Sequence, residues 1–368
     1  MTDRSVPGDG APPFLSLADA ERAARAVLAP DVWDFVAGGS GDESVLAGNR
    51  AALDAVRLVP RVLTGAVAAD PAGTLLGARL ALPLALAPMA YQRLVHPEGE
   101  LALARAARES GALFIAGVLN SLPLEELARA AGPAWFQLYW LRDRSLTEQL
   151  IDRAEAAGYR ALVITVDVPV MGRRLRDMRN SFALPHDIPA ANLAPRGTIG
   201  AHRRAEGTSA VSTHTARLFA PGPGWPDLAW LRARTRLPLV LKGVLHPEDA
   251  VRAVEAGVDA LVVSNHGGRQ LDGAVASVAA LPPVVRAVAG RCPVLLDSGV
   301  RGGTDVLRAL ALGASGALLG RPALWGLAAA GESGVRDVLR LLRAELEEAM
   351  LLSGCGTLAD AGSLTTTV

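Results

Sequence analysis

The stretch PLVLKGVLHPEDAVRAVEAGVDALVVSNHGG, residues 238–268, decides the fold. It opens on the apolar run PLVLK, passes through HPEDAVRAVEAG with its alanine-rich helical spacing, and ends on a second apolar run, ALVVS. Strand, helix and strand at this spacing make a βαβ unit, in which the two strands lie parallel and the helix crosses between them. The same alternation repeats outward in both directions. Upstream it gives PLALA ending at Ala87, LFIA ending at Ala116, AWFQL ending at Leu138 and ALVITV ending at Val166; downstream it gives PVLLD ending at Asp297 and GALLG ending at Gly320. Eight βα units that close on themselves predict a single (β/α)8 TIM barrel of the α/β class.

Most units repeat at the length this fold expects, but the stretch from Asp167 to Leu239 is far longer and rich in Pro, Gly, His and Arg. An excursion of that length in a compact domain predicts a lid, placed at about 174–236 after the fourth strand and over the substrate side. Residues 17–354 are expected to form the barrel domain, with AERAARAVL in a helical N-terminal cap and VRDVLRLLRAELEEAMLL as a closing helix. Residues 1–16 read as a flexible lead-in and 355–368 as a C-terminal tail.

Composition narrows the function. The formal net charge is zero, with 37 acidic against 37 basic residues, so neither nucleic acid nor an anionic membrane is an expected partner. Cys292 and Cys355 lie far apart without metal-type spacing, which predicts no disulfide, no metal site and a reducing compartment. The apolar stretches break well short of a membrane span, and MTDRSVPGDGAPP lacks the apolar core of a signal peptide. A cytoplasmic enzyme acting on a small molecule is the expectation.

Barrel chemistry collects where strands end. Lys242, at the end of PLVLK, is the single lysine among 37 basic residues. A compact ammonium there suits stabilising a developing anion or forming a Schiff base. SNHGGRQLD, from Ser264 to Asp272, sets His266 at a strand end three residues before Arg269: a base near neutral pH beside a fixed cation. Asp167 in TVDVPVMGRR is the candidate carboxylate to orient that imidazole. Arg173 or Arg174, with Arg269, can clamp a substrate carboxylate. DSGVRGG and GRPALWG put glycines and arginines after the seventh and eighth strands, where barrels bind phosphate, so a phosphorylated cofactor is expected.

APMAYQ, HPEGE, FQLYW, TVDVPVMGRR, LKGV, SNHGGRQLDG, DSGVRGGTDVLRALALGA and GRP together resemble the FMN-dependent α-hydroxy acid oxidase family from about Leu17 to Gly354. APMAYQRL, FQLYWLRD and MGRRLRDMRN look most like its mandelate-type members. The resemblance implies FMN as cofactor, an (S)-2-hydroxy acid as substrate, O2 as electron acceptor with H2O2 released, and a homotetramer or homo-octamer; a role in making hydroxyphenylglycine-type antibiotic building blocks follows by analogy. It implies His266 as the base with Asp167 supporting it, Arg174 and Arg269 on the substrate carboxylate, and Tyr139 hydrogen-bonded to the substrate. Lys242 would lie at the flavin's pyrimidine edge, with Gln137, Thr165 and Ser264 on the isoalloxazine and Pro88, Met89 and Ala90 along its central ring. Asp297 would bind the ribityl chain, and Gly299, Arg301, Gly320 and Arg321 the phosphate end.

Four positions depart from the short-chain members: Phe35 replaces a substrate-binding tyrosine, Leu119 a tryptophan, Gly117 a flavin-contacting serine or threonine, and Ser298 a second glycine. The first two predict a roomier, more apolar pocket that accepts an aromatic ring, with Met89, Trp140 and Met171 as further lining residues. Three other readings are weighed: a dehydrogenase of the same family with another electron acceptor, a Schiff-base aldolase using Lys242, and a catalytically inert flavin-binding protein.

Overall fold

The computed structural model describes residues 14–193, 201–220 and 222–367. Its centre is a closed barrel of eight parallel strands. These are β1 (Leu84–Leu86), β2 (Leu113–Gly117), β3 (Ala134–Leu138), β4 (Leu162–Thr165), β5 (Leu239–Val244), β6 (Ala260–Val263), β7 (Val294–Leu296) and β8 (Gly316–Leu319). Neighbours pair in chain order, and β8 closes on β1 with Leu318 opposite Ala85. All eight apolar runs read from the sequence are barrel strands.

Side-chain alternation builds two cores. Ala85, Ile115, Trp135, Val163, Val240, Val262, Leu295 and Leu318 fill the barrel interior, while Leu86, Phe114, Phe136, Leu162, Leu241 and Leu319 join the larger cluster that includes the helices. Burying each larger aliphatic or aromatic side chain is worth about 1.5–3 kcal/mol. A hairpin of Gly73–Leu75 against Ala78–Leu80 adds Leu75 and Leu80 to the interior cluster. With the interior packed by side chains, the chemistry is left to the loops at the strand ends.

Three helices precede the barrel: α1 (Leu17–Val27), α2 (Pro30–Ala37) and α3 (Ser44–Ala55). Ser16 starts α1 through a reciprocal capping box with Asp19, whose backbone N–H donates to Ser16 Oγ at 3.2 Å. The crossover helices are α4 (Gly99–Ser110), α5 (Leu124–Ala130) and α6 (Arg144–Ala156); α7 (Leu175–Arg179) and α8 (Ala210–Leu218) belong to the excursion after β4. Then come α9 (Trp225–Arg234), α10 (Pro247–Glu255), α11 (Ser277–Val288), α12 (Gly303–Ala311) and α13 (Arg321–Leu352), the last interrupted at Ala330 and Gly331. α1 packs along α13.

The expected boundaries shift within the lid and at the C-terminal end of the chain. The excursion ends before α9, which buries Leu228 and Leu231 as the crossover helix leading into β5, so residues 225–234 belong to the barrel wall rather than to the lid. Residues 194–200 and 221 of the excursion lie outside the described residues, as do 1–13 of the lead-in and Val368. The segment set apart as a tail contains a short helix, α14 (Leu358–Gly362), and Thr366–Thr367 pairs antiparallel with Arg57–Leu58.

Candidate active site

The C-terminal strand ends open on a cleft. Register sets polar side chains at one level: Thr165 on β4 lies opposite Lys242 on β5, and Gly117 on β2 opposite Gln137 on β3. Gln137 Nε2 donates to Thr165 Oγ1 at 3.0 Å. Lys242 is buried, donates to Ser264 Oγ at 2.9 Å and pairs with Asp297 Oδ2 at 2.9 Å. Burial alone would lower its pKa, but Asp297 and then Asp167 outweigh it, so the pKa moves up. The ammonium therefore stays charged. A Schiff-base lysine needs the opposite shift, which argues against the aldolase reading.

Beyond Lys242 the ladder with β6 is irregular, and Gly243 adopts φ +107°. A Cβ on Gly243 would sit 2.6 Å from Asp167 Cβ, so only glycine lets the carboxylate come this close. Asp167 reaches His266: Nδ1–H donates to Oδ1 at 3.0 Å. This tautomer leaves Nε2 free to accept a proton. Burial lowers the His266 pKa against the pull of Asp167, so the imidazole is neutral at neutral pH. Burial would raise the Asp167 carboxyl, but His266 and then Lys242 hold it below its ordinary value. Tyr139 stacks on Phe219 with centroids 4.3 Å apart. Burial, helped by Asp167, pushes its phenol up to about 12, which keeps the hydroxyl a donor.

Four arginines converge on the cleft. Arg174 is buried and its Nε has no hydrogen-bond partner among the described residues, whereas Arg173 is exposed; Arg174 is thus the clamp candidate of the pair. Arg269 donates to the carbonyls of Phe35 and Gly38 at 2.9 and 2.7 Å. The Phe35 ring lies 6.0 Å from the Arg174 guanidinium and 5.4 Å from that of Arg269, and it stacks on Phe182 at 4.6 Å. Arg321 donates to the carbonyls of Val36, Gly267 and Gly38 at 3.1, 3.0 and 2.8 Å. Arg301 lies over the Trp325 ring at 4.6 Å. Burial and neighbouring cations push Arg321 down to about 9, and burial pushes Arg301 down to about 10.

No carboxylate forms an ion pair with Arg174, Arg269, Arg301 or Arg321 among the described residues, although all four are sheltered in one cleft. Clustered buried cations without counter-ions are costly unless an anion joins them. Four such guanidiniums are suited to holding bound anions, such as the phosphate and carboxylate expected from the sequence. Gly299, at φ +96°, carries the backbone past Asn49, whose carbonyl oxygen lies 3.1 Å from where a Cβ would be. Donor set and cleft fit a flavin mononucleotide.

Pro88, Met89, Ala90, Phe35, Leu119, Met171, Tyr139, Asp297, Gly299 and Gly320 line the cleft with Lys242, His266 and the four arginines. Asp167 and Ser264 stand just behind, hydrogen-bonded to lining residues. Gln137 and Thr165 form their own buried pair, with Gly117 against the Gln137 amide. Trp140 is the exception: it packs against Trp230 and borders a separate space with Trp225 and Leu228, so it does not line the substrate side. Neighbouring strand-end residues point to opposite sides, and Tyr139 takes the inward place. Sequence reasoning missed Tyr91, whose buried hydroxyl has no partner among the described residues, and Val211, Thr215 and Phe219 of the lid. It also missed Asn49, which bonds Asn265 at 2.6 and 2.9 Å. Only the position of Tyr91, next to APMA, offered a signal.

Residues 24–367 match the FMN-dependent dehydrogenase family. The chain is 56% identical over 353 residues to 4-hydroxymandelate oxidase from Amycolatopsis orientalis, covering 96% of this chain and 98% of that protein. It is 47% identical to L-lactate oxidase from Nostoc sp., covering 94% and 96%, and 41% identical to 2-hydroxyacid oxidase 1 from Homo sapiens, covering 94% of each. A crystal structure of mandelate oxidase with (S)-4-hydroxymandelic acid superposes with a TM-score of 0.94 at 55% identity, covering 96% of this chain and 99% of that one.

Proposed function

The chain belongs to the FMN-dependent dehydrogenase family and is one of its 2-hydroxy acid oxidases, and from that premise we propose that it oxidises an aryl (S)-2-hydroxy acid of the mandelate type to the 2-oxo acid, with O2 reoxidising the flavin and leaving as H2O2. One observation carries the aryl preference. Phe35 sets an apolar ring between the Arg174 and Arg269 guanidiniums, backed by Phe182, where a tyrosine would set a hydroxyl. Leu119, Met171, Val211 and Phe219 extend that apolar wall, and the names of the mandelate-oxidising relatives support the same reading. The oxidase names of those relatives support O2 as acceptor over a dehydrogenase's partner.

FMN, when bound, accepts the two electrons lost by the α-carbon. In this reading Arg301, Arg321 and the backbone at Gly299 and Gly320 hold its phosphate, and Asp297 its ribityl chain. Pro88, Met89 and Ala90 lie along the ring system, with Gln137, Thr165 and Ser264 at its polar edge. Gly117, standing where a hydroxyl is usual, adds no side-chain hydrogen bond. Lys242 supplies fixed positive charge where negative charge gathers, the same preorganised stabilisation that serves an oxyanion.

Arg174 and Arg269 bind the substrate carboxylate and thereby fix which face of the α-carbon is presented. Tyr139 donates to a substrate oxygen. His266 Nε2 takes a proton from the substrate, and Asp167 stabilises the imidazolium that results. The apolar walls exclude water from these charges. A cytoplasmic homotetramer or homo-octamer supplying aryl building blocks belongs to the same reading, on family likeness.

Turnover of (S)-mandelate and glycolate by the yellow holoenzyme tests the proposal. Mandelate is expected to be the faster, with one H2O2 released per oxo acid; faster glycolate oxidation would reject the aryl pocket, and absence of H2O2 in air would reject O2.

A further inference from the structure

Ser298 holds a left-handed backbone, φ +77°, yet it is not glycine. Such a conformation is strained for a residue that carries a side chain, and glycine would adopt it freely. The hydroxyl must therefore offset that cost, and its bonds identify how. Ser298 Oγ donates to Asp297 Oδ1 at 2.8 Å and accepts the Gly267 backbone N–H at 2.9 Å. The other carboxylate oxygen, Asp297 Oδ2, pairs with Lys242 Nζ at 2.9 Å. Lys242 Nζ donates to Ser264 Oγ at 2.9 Å, and Ser264 Oγ also accepts the His266 backbone N–H at 3.0 Å. The peptide joining His266 to Gly267 then closes a ring. Lys242, Asp297, Ser298, Gly267, His266 and Ser264 form one hydrogen-bonded circuit.

We propose that Ser298 is a positioning residue, which couples the Lys242–Asp297 pair to the backbone that carries His266. Two consequences follow from the bonds. By donating to Oδ1, the hydroxyl draws charge from the Asp297 carboxylate, so Asp297 neutralises Lys242 less and more positive charge reaches the flavin edge. By accepting from Gly267, it fixes the left-handed turn at His266, φ +60°, and hence the direction of the imidazole. The residue that accepts the proton and the charge that favours the flavin's electrons are placed by the same side chain.

Two substitutions separate this role from simple packing. Ser298→Ala keeps the Cβ and the strain but deletes the hydroxyl; Ser298→Gly deletes both. Sulfite, which adds to oxidised flavin and leaves it negatively charged, is titrated into FMN-loaded parent and variants, and the acid limb of the pH profile for flavin reduction is recorded alongside. Both variants are expected to bind sulfite about tenfold more weakly, the effect of one charge-assisted hydrogen bond, and both to move the acid limb, while Ser298→Gly melts at a higher temperature than Ser298→Ala. Sulfite affinity and pH profile unchanged in Ser298→Gly would overturn the proposal, whatever the melting temperatures do. A loss confined to Ser298→Ala would equally overturn it, since strain and not the hydroxyl would then be the cause.

Discussion

Asp167→Asn isolates one charge with little change in shape. The amide occupies the same volume against Gly243, where a glycine already makes room for the side chain, and it can still accept the His266 Nδ1–H now held at 3.0 Å. What disappears is the negative charge that stabilises the imidazolium. A hydrogen bond to a charged group is worth about 1.5–3 kcal/mol against 0.5–1.5 for a neutral one, and a contact ion pair at effective dielectric near 20 is worth about 4 kcal/mol. Together they bracket a loss of about 1–4 kcal/mol, or about 5- to 1000-fold in flavin reduction. Should the amide flip and donate to Nδ1, the wrong tautomer would result and the loss would approach about 10⁴. Asp167 raises the His266 pKa against burial, so its removal lowers that pKa further. The acid limb must then move to lower pH even as the plateau falls. Anaerobic stopped-flow with (S)-mandelate across pH reads both quantities. A plateau within about threefold of the parent, or an acid limb that stays put or moves up, would refute the pairing of Asp167 with His266 as base and support.

Lys242→Met leaves Asp297 buried beside an apolar chain; breaking a buried pair costs about 3–5 kcal/mol, so a lower melting temperature and weaker FMN retention are expected in scanning fluorimetry and gel filtration monitored in the visible. Because folding raises the Lys242 pKa, the parent holds this stabilisation at all pH values below the ordinary lysine range and loses it only as pH rises through the raised value; the gap between parent and variant should therefore be flat from pH 6 to 9. Asp305→Asn weakens the brace under the phosphate loop, where the carboxylate accepts from the Arg301 backbone at 2.8 Å and from Arg50 and Arg308 at 2.8 and 2.7 Å; FMN affinity is expected to fall about tenfold with flavin reduction in the loaded enzyme nearly unchanged, and equal FMN affinity would contradict the assignment of that loop.

The barrel was legible because each strand is a short apolar run ended by a polar residue, and the strand ends delivered Lys242, Asp167, His266 and Asp297 with them. α9 was not, because its apolar spacing is diluted by Arg232 and Arg234 and it follows a run of Pro and Gly without a clear break. Trp140 went wrong because composition cannot say which of two neighbouring residues at a strand end turns inward. Asn49 was silent for another reason: its partner Asn265 lies far along the chain, and only the closed barrel brings the two together; Ser298 stood out only as a departure from glycine, and its bond to Gly267 needed the fold to show it.

Arg269 and Arg321 hydrogen-bond α2 and the residue that follows it through main-chain oxygens, those of Phe35, Val36 and Gly38. Every residue type offers the same carbonyl, so position 35 can be exchanged without removing the hydrogen bonds that hold the two guanidiniums. Substrate range and acid recognition are thereby made separable: lineages diverging from a common ancestor could retailor the group beside the reacting carbon while inheriting the anion grip intact, and directed evolution aimed at new hydroxy acids has its first safe target at this position.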